Sequence, residues 1–313
     1  MRILVVGAGA IGGYFGGRLL QAGRDVTFLV RPQRAAKLAQ TGLRLKSPAG
    51  DFHRAAPPTV LSEHIQAPYD LVLLSCKAYD LAGAIDSMAP AVGPQTLILP
   101  LLNGMRHLDD LDARFGAARV LGGQCIIPVT LDGEGTVVHL APLHAMTFGA
   151  RNGAALERVP AIGAALSGAM FELNVSDQIE QSMWEKWVNL GTLASATCLM
   201  RAAIGDILAA PLGAELLARM LAESCAIAAA NGHAPREAAL AQTRGLLGTH
   251  GSPFTASMLR DLEQNARIEA DHVVGDLLAR RGPALAGATP LLDVAYTHLK
   301  AYEARRARSL PPV

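Results

Sequence analysis

Ile3-Leu4-Val5-Val6-Gly7-Ala8-Gly9-Ala10-Ile11-Gly12 decides the fold. The apolar run at the start is a strand signal, and the glycines after it have G-x-G-x-x-G spacing. The helical pattern Ile11–Ala22 opens from the last of these glycines and stops at Gly23. Strand, glycine loop and helix in this order make a dinucleotide cradle. Gly7 permits the tight turn, Gly9 lets the backbone approach a pyrophosphate, and Gly12 allows close helix-on-strand packing. The backbone of Ala8, Ala10 and Ile11 completes the loop, with the helix N-terminus facing the phosphates.

The end of the next strand selects the dinucleotide. NAD sites place an acid there, about 20 residues past the fingerprint, to bond the ribose 2′-hydroxyl. Here Val26–Val30 ends in Arg31, with Arg34 one turn on, and the nearby acid Asp25 lies at the wrong end of the strand. A guanidinium suits a 2′-phosphate, so the expected cofactor is NADP(H). The plainer reading of Arg31 is a surface arginine after a strand.

Working outward, Leu71–Leu74 and Thr96–Leu101 repeat the strand signal between helical patterns, which predicts a parallel, doubly wound α/β sheet of Rossmann type. Val120–Cys125, Thr136–Leu140 and Ala145–Phe148 surround the turn Asp132-Gly133-Glu134-Gly135 and are expected to finish that sheet as a hairpin or meander. From about Leu156 the strand signal stops. Met183–Met200, Ala214–Asn231, Ser257–Arg281 and Leu291–Arg305 read as helices, giving an expected α/β domain over 1–170 and an all-helical domain over 171–313. The basic, proline-ended stretch Arg305–Val313 reads as a frayed tail.

The chain has 313 residues, half of them hydrophobic, and a formal net charge of +1, so a large core is available and no nucleic-acid partner is expected. The uncharged run Trp187–Met200 has 14 residues, short of the roughly 20 needed to span a membrane, and reads as a buried helix. With the strand run beginning at Ile3, no targeting segment is expected, and the location read from this is cytoplasmic. Cys76, Cys125, Cys198 and Cys225 are scattered in apolar surroundings and read as inert thiols. The nine histidines are dispersed, so no metal site is expected. The Ala/Leu-rich second half permits a homodimer without requiring one.

Ligands of open α/β sheets bind outside the carboxyl ends of the strands. Leu71–Leu74 runs into Ser75-Cys76-Lys77, and Thr96–Leu101 into Leu102-Asn103-Gly104, which puts Lys77 and Asn103 on the expected rim. Lys186 is the last charge before the uncharged helix. Held there it can protonate a developing alkoxide, or simply snorkel from a helix end. Ser257 and Asp261 read either as site residues or as an N-cap and a first-turn acid, and Glu269 is expected in mid-helix.

Together these residues resemble the ketopantoate reductase (2-dehydropantoate 2-reductase) family along nearly the whole chain. The resemblance rests on the fingerprint, Arg31, Lys77 in Cys-Lys-Ala-Tyr, Asn103-Gly104, Trp-Glu-Lys with Lys186, Ser257-Met258-Leu259-Arg260-Asp261 and Glu269. It implies NADPH-dependent reduction of a small 2-keto acid, ketopantoate, to (R)-pantoate on the route to pantothenate. It also implies a helical domain like that of 6-phosphogluconate dehydrogenases and an active site in the interdomain cleft. Lys186 would be the general acid. Glu269 would bond the substrate hydroxyl and position Lys186, Ser257 would bind the substrate, and Lys77 and Asn103 would orient nicotinamide and substrate.

One departure bears on the substrate. Family members acting on ketopantoate carry asparagines four and eight residues after the catalytic lysine, where this chain has Leu190 and Ala194. Asn189 is displaced by about 100° around the helix from Leu190, whereas Thr197 returns to within roughly 20° of Lys186 and is a candidate hydroxyl. A pocket that loses hydroxyl-bonding partners favours a more apolar keto acid. A non-catalytic NADP(H)-binding sensor is the remaining alternative, and it would need neither Lys186 nor Glu269.

Overall fold

Strand β1 (Arg2–Val6) leads through the glycine loop into α1 (Ala10–Gln21), β2 (Asp25–Leu29) and α2 (Pro32–Thr41). Three short strands follow, β3 (Leu43–Lys46), β4 (Phe52–Arg54) and β5 (Thr59–Val60), then β6 (Leu71–Leu74), α3 (Leu81–Met88), β7 (Leu97–Pro100) and α4 (Arg106–Phe115). The five-stranded sheet has the order β5-β2-β1-β6-β7 and every pairing in it is parallel. All four residues of β6 and of β7 are buried, as expected for parallel strands covered on both faces. The chain is described here from a computed structural model covering residues 1–151 and 155–309.

Helix α1 carries two glycine ridges. A Cβ on Gly12 or Gly16 would meet the Gly7 carbonyl oxygen at 2.1 Å or the Phe28 ring at 2.6 Å, on the side of the five-stranded sheet. On Gly13 or Gly17 it would meet Val137 at 2.8 Å or Leu45 at 2.9 Å, on a second sheet. Each mid-helix glycine costs roughly 1 kcal/mol of helix propensity relative to alanine, so packing has to offset about 4 kcal/mol.

That second sheet corrects the sequence reading. After β8 (Gly122–Ile126) come β9 (Val129–Leu131), β10 (Val137–His139) and β11 (Ala145–Gly149). The Asp132–Gly135 turn does tip a hairpin, β9 against β10, with Asp132 Oδ1 accepting from the amides of Glu134 and Thr136. Yet β10 pairs with β3 in the order β4-β3-β10-β9, instead of finishing the main sheet. Strands β8 and β11 form a third sheet, joined to β7 by a single bridge from Val120 to Ile98. Its third member, β12 (Glu172–Val175), follows α5 (Val159–Leu166) and pairs parallel to β11. Strand structure therefore continues past Leu156, where the strand signal stops; this edge strand is too short and too exposed to register as an apolar run.

The first compact unit comprises Met1–Leu102 and His107–Glu180, ten residues beyond the expected boundary at 170. The second comprises Asn103–Arg106 and the chain from Gln181 onward, and its described residues form helices only. These are α6 (Ile179–Met200), α7 (Ile204–Ala209), α8 (Gly213–Ala230), α9 (Glu237–Leu247), α10 (Ser257–Glu263), α11 (Asp276–Ala279) and α12 (Pro290–Ser309), with a π turn over Asp271–Gly275 leading into α11. Gly191–Cys198 of α6 is buried throughout, which explains the uncharged run. No helix among the described residues is long and apolar enough to cross a membrane.

Two expectations for this unit change. Ser257–Arg281 is not one helix. After α10, Asn265 takes the left-handed conformation (φ 53°), the Ala266 amide donates to Asp261 O at 2.8 Å and the Asn265 amide to Leu262 O at 3.2 Å. That is a Schellman stop with asparagine in the usual glycine position. The stretch read as a tail continues α12 as far as Ser309, and 310–313 lie outside the described residues.

The glycine ridges make a direct test. Gly12→Ala is expected to destabilise by about 3 kcal/mol, because the added methyl meets backbone that cannot yield. Gly9→Ala, whose Cβ meets nothing within 4 Å, should change stability by no more than about 1 kcal/mol. Urea midpoints of the two variants check the contrast; equal losses would sink the packing argument.

Candidate functional site

The glycine loop is held from both sides of β1. Gly7 has φ +92°, a conformation that favours glycine, and its amide donates to Leu29 O of β2 at 3.0 Å. From the end of β6, the Ser75 hydroxyl lies 3.0 Å from Val6 O and 3.3 Å from Gly7 O as a donor. Gly9 is the N-cap of α1 and supplies no capping side chain, and no acid occupies the first turn. The amides of Ala10, Ile11 and Gly12 are thus uncapped first-turn donors, beside a Gly9 face with open space. These residues fit a dinucleotide pyrophosphate, and a side chain at Gly9 would fill the cradle.

The two arginines after β2 do different jobs. Arg34 Nε donates to Ala8 O at 3.0 Å and Nη2 to Gly135 O at 3.3 Å, so this half-buried side chain braces the loop against the β9–β10 hairpin. Burial lowers its pKa. Arg31 is the N-cap residue of α2 and is 75% exposed, with Nη2 3.0 Å from Asp80 Oδ1. Lys77 is half-buried at the end of β6, and its carbonyl accepts from the Asp80 amide at 2.9 Å.

In the second unit Lys186 and Asn103 meet. Trp184 and Trp187 are buried and anchor α6, with the Trp187 indole donating to Val273 O of the π turn at 2.8 Å. Glu185 is claimed by Arg236, which donates from Nε at 2.7 Å and from Nη2 at 2.6 Å. Half-buried Lys186, on a third face of the turn, donates from Nζ to Asn103 Oδ1 at 3.1 Å. His272, in the π turn, is 6% exposed and hydrogen-bonds the backbone of Asn103 through its ring. A Cβ on Gly104 would strike its carbonyl oxygen at 2.7 Å. Burial pushes the His272 imidazole below its usual range, against the opposing pull of the Glu269 and Asp276 carboxylates.

Asn103, Lys186 and, through His272, Glu269 are thereby brought into one neighbourhood. Glu269 is not in mid-helix: it precedes the turn into α11, and its carbonyl accepts from Val273 N at 3.0 Å. Ser257 is the first residue of α10, behind the N-cap Ala256, so it is not the cap and it is exposed. Asn189 is half-buried with Oδ1 lacking a partner. Thr197 has a structural task instead of the expected substrate contact: it is fully buried, donates to Leu193 O at 2.8 Å and accepts from the Ala256 amide at 3.4 Å. Ala194 is also fully buried, whereas Leu190 is partly exposed. Asp80 and His272 escaped the sequence reading, although each lies three residues after a candidate, Lys77 and Glu269. None of the four cysteines forms a disulfide, and burial raises the Cys198 thiol to about 12.

Residues 3–153 match the family model for ketopantoate reductase PanE/ApbA, and residues 178–303 match its C-terminal counterpart. The chain belongs to the ketopantoate reductase family. It is 37% identical to the uncharacterized oxidoreductase YkpB of Bacillus subtilis (strain 168), over 98% of this chain and all of that one. It is 30% identical to a 2-dehydropantoate 2-reductase of Halobacterium salinarum, covering 90% and 92% of the two chains. The structure of D-mandelate dehydrogenase with NADH and anilino(oxo)acetate superposes with a TM-score of 0.87 over 98% of this chain and 99% of that one; at 21% identity this shows a shared fold. As a member of the ketopantoate reductase family, the chain is an oxidoreductase of the NAD(P)H-dependent keto-acid reductase kind.

The depressed His272 carries a pH signature. The folded protein binds this proton less readily than the unfolded chain, so its stabilising contribution is complete above the unfolded pKa of about 6.5 and is lost as pH falls below it. The unfolding free energy from urea titration should drop between about pH 7.5 and pH 5.5, by at most roughly 1.4 kcal/mol per pH unit from this one proton. His272→Gln should flatten part of that slope. His144, likewise depressed by burial and by His139, retains the remainder.

Proposed function

We propose that this ketopantoate reductase family member reduces 2-dehydropantoate to (R)-pantoate with NADPH, serving pantothenate biosynthesis. The observation that carries the reading is the half-buried Lys186 Nζ held 3.1 Å from Asn103 Oδ1. A cofactor-binding sensor has no use for an ammonium fixed in this way, whereas a carbonyl reduction needs a proton at the oxygen. The bound dinucleotide supplies a hydride.

The chain does the rest. Backbone amides of Gly7–Gly12 take the pyrophosphate, and Arg31 takes the 2′-phosphate. Lys77 and Asn103 orient nicotinamide and substrate. Asn103 Oδ1 fixes the direction of Lys186, whose Nζ passes a proton to the carbonyl oxygen as the carbon is reduced, and which is reprotonated from solvent. Glu269 takes the substrate hydroxyl and helps position Lys186. Ser257, exposed at the start of α10, offers its hydroxyl to the substrate.

A second reading, a more apolar 2-keto acid as substrate, is favoured by Leu190. It is partly exposed on α6, where family members acting on ketopantoate carry an asparagine. Ala194 adds nothing to this reading, because it is fully buried.

Loss of NADPH absorbance with a panel of 2-keto acids tests both. Ketopantoate turnover is expected, with Lys186→Ala lowering kcat by about 10²- to 10⁴-fold. Asn103→Ala should lower it less, since Lys186 remains. Turnover restricted to apolar keto acids would establish the second reading, and tight NADPH binding without turnover of any of them would overturn both.

A further inference from the structure

We propose that Asp80 is a cofactor-selectivity residue: it holds Arg31 across the mouth of the cradle and competes with a 2′-phosphate for the guanidinium. The inference deepens the function proposed above and rests on its assignment of Arg31 to the 2′-phosphate.

Topology carries the argument. In the order β5-β2-β1-β6-β7, strands β2 and β6 flank β1. Arg31 stands just past the carboxyl end of β2, and Asp80 six residues past that of β6. Those strand ends are two strand spacings apart, roughly 9–10 Å. The Nη2–Oδ1 pair at 3.0 Å therefore bridges over the end of β1, where the glycine loop begins. The direction in which successive strands are added also reverses here, because β1 leads outward to β2 and β6 leads outward to β7. Right-handed crossovers then send their helices to opposite faces and open the ligand crevice between β1 and β6. The ion pair straddles the crevice that a dinucleotide has to enter.

The carboxylate also passes over its obvious local task. Asp80 is the N-cap residue of α3, where aspartate ordinarily accepts from a first-turn amide, yet it makes no capping hydrogen bond. Its carboxylate accepts from Arg31 instead. Arg34 is no substitute, because its Nε and Nη2 hold Ala8 and Gly135. A 2′-phosphate therefore meets one exposed guanidinium already sharing an edge with a carboxylate. Binding it bidentately means displacing Asp80 and bringing two anions close together. A free 2′-hydroxyl makes no such demand. Asp80 thus narrows the preference for NADPH over NADH that Arg31 creates.

Calorimetric titration of NADPH, NADH, 2′,5′-ADP and 5′-AMP into wild type, Asp80→Asn, Arg31→Ala and the double variant tests this without turnover. Asp80→Asn should tighten NADPH and 2′,5′-ADP by about five- to tenfold, a gap that closes at high salt, and leave NADH and 5′-AMP within about twofold. In the Arg31→Ala background the same substitution should change NADPH binding by no more than about twofold, because only the repulsion between the two anions is left. If Arg31→Ala weakens NADPH selectively while Asp80→Asn leaves the NADPH:NADH ratio unchanged, the inference fails and the 2′-phosphate assignment stands. If Arg31→Ala weakens both cofactors equally, that assignment fails and takes the inference with it. Weaker NADPH binding in Asp80→Asn, with an unchanged melting curve, would also overturn it, because Asp80 would then be helping Arg31 bind.

Discussion

The rest of the first unit depends on how closely α1 can approach its neighbours. With glycine at 12, 13, 16 and 17, backbone sits where side chains would otherwise separate helix from sheet, on two faces at once. One face seats the helix on β1 and β2 and points its N-terminus at the end of β1. The other receives the sheet that contains β3 and β10. The loop geometry, the Ser75 and Leu29 hydrogen bonds and the brace from Arg34 all follow from that placement. Weak helix propensity is accepted there because packing on both sides more than offsets it.

The second unit solves a different problem, holding a charged amine beside apolar surroundings. Buried Trp184 and Trp187 fix the rotation of α6, Arg236 removes Glu185 from competition, and Asn103 receives Lys186. Asn103 is itself held through its backbone by His272, from a π turn whose irregular geometry is common at functional sites. A neutral His272 suits this role, since a second cation near Lys186 would oppose its charge.

Legibility followed periodicity and length. β1, β2, β6 and β7 are apolar runs bounded by turn residues, and all were readable as strands. β3, β4, β5 and β12 have four residues or fewer and none is a continuous apolar run: even in β3 the buried Leu43 and Leu45 alternate with Arg44 and Lys46, so no window distinguishes these strands from loop. The break in Ser257–Arg281 hides for another reason: Glu-Gln-Asn-Ala looks helical, and the left-handed turn at Asn265 is supported by tertiary contacts. Arg306 Nε donates to Asn265 O at 2.7 Å and Tyr302 Oη to Ala266 O at 2.8 Å. Among the candidates, Thr197 was misplaced because helix angle says which way a hydroxyl points but not what covers it.

What the sequence determined by itself is the local chemistry: a glycine loop between a strand and a helix, an arginine after the second strand, a lysine at the edge of an uncharged helix. Those are properties of neighbouring residues, fixed by backbone sterics and hydrogen-bonding capacity. What only the tertiary structure decided is partnership. Arg31 faces Asp80 because β2 and β6 flank β1 although 49 residues separate the two side chains. Lys186 faces Asn103 because a four-residue segment, Asn103–Arg106, groups with the helical unit. Such pairings are set by strand order and packing, and short-range sequence patterns carry no information about either.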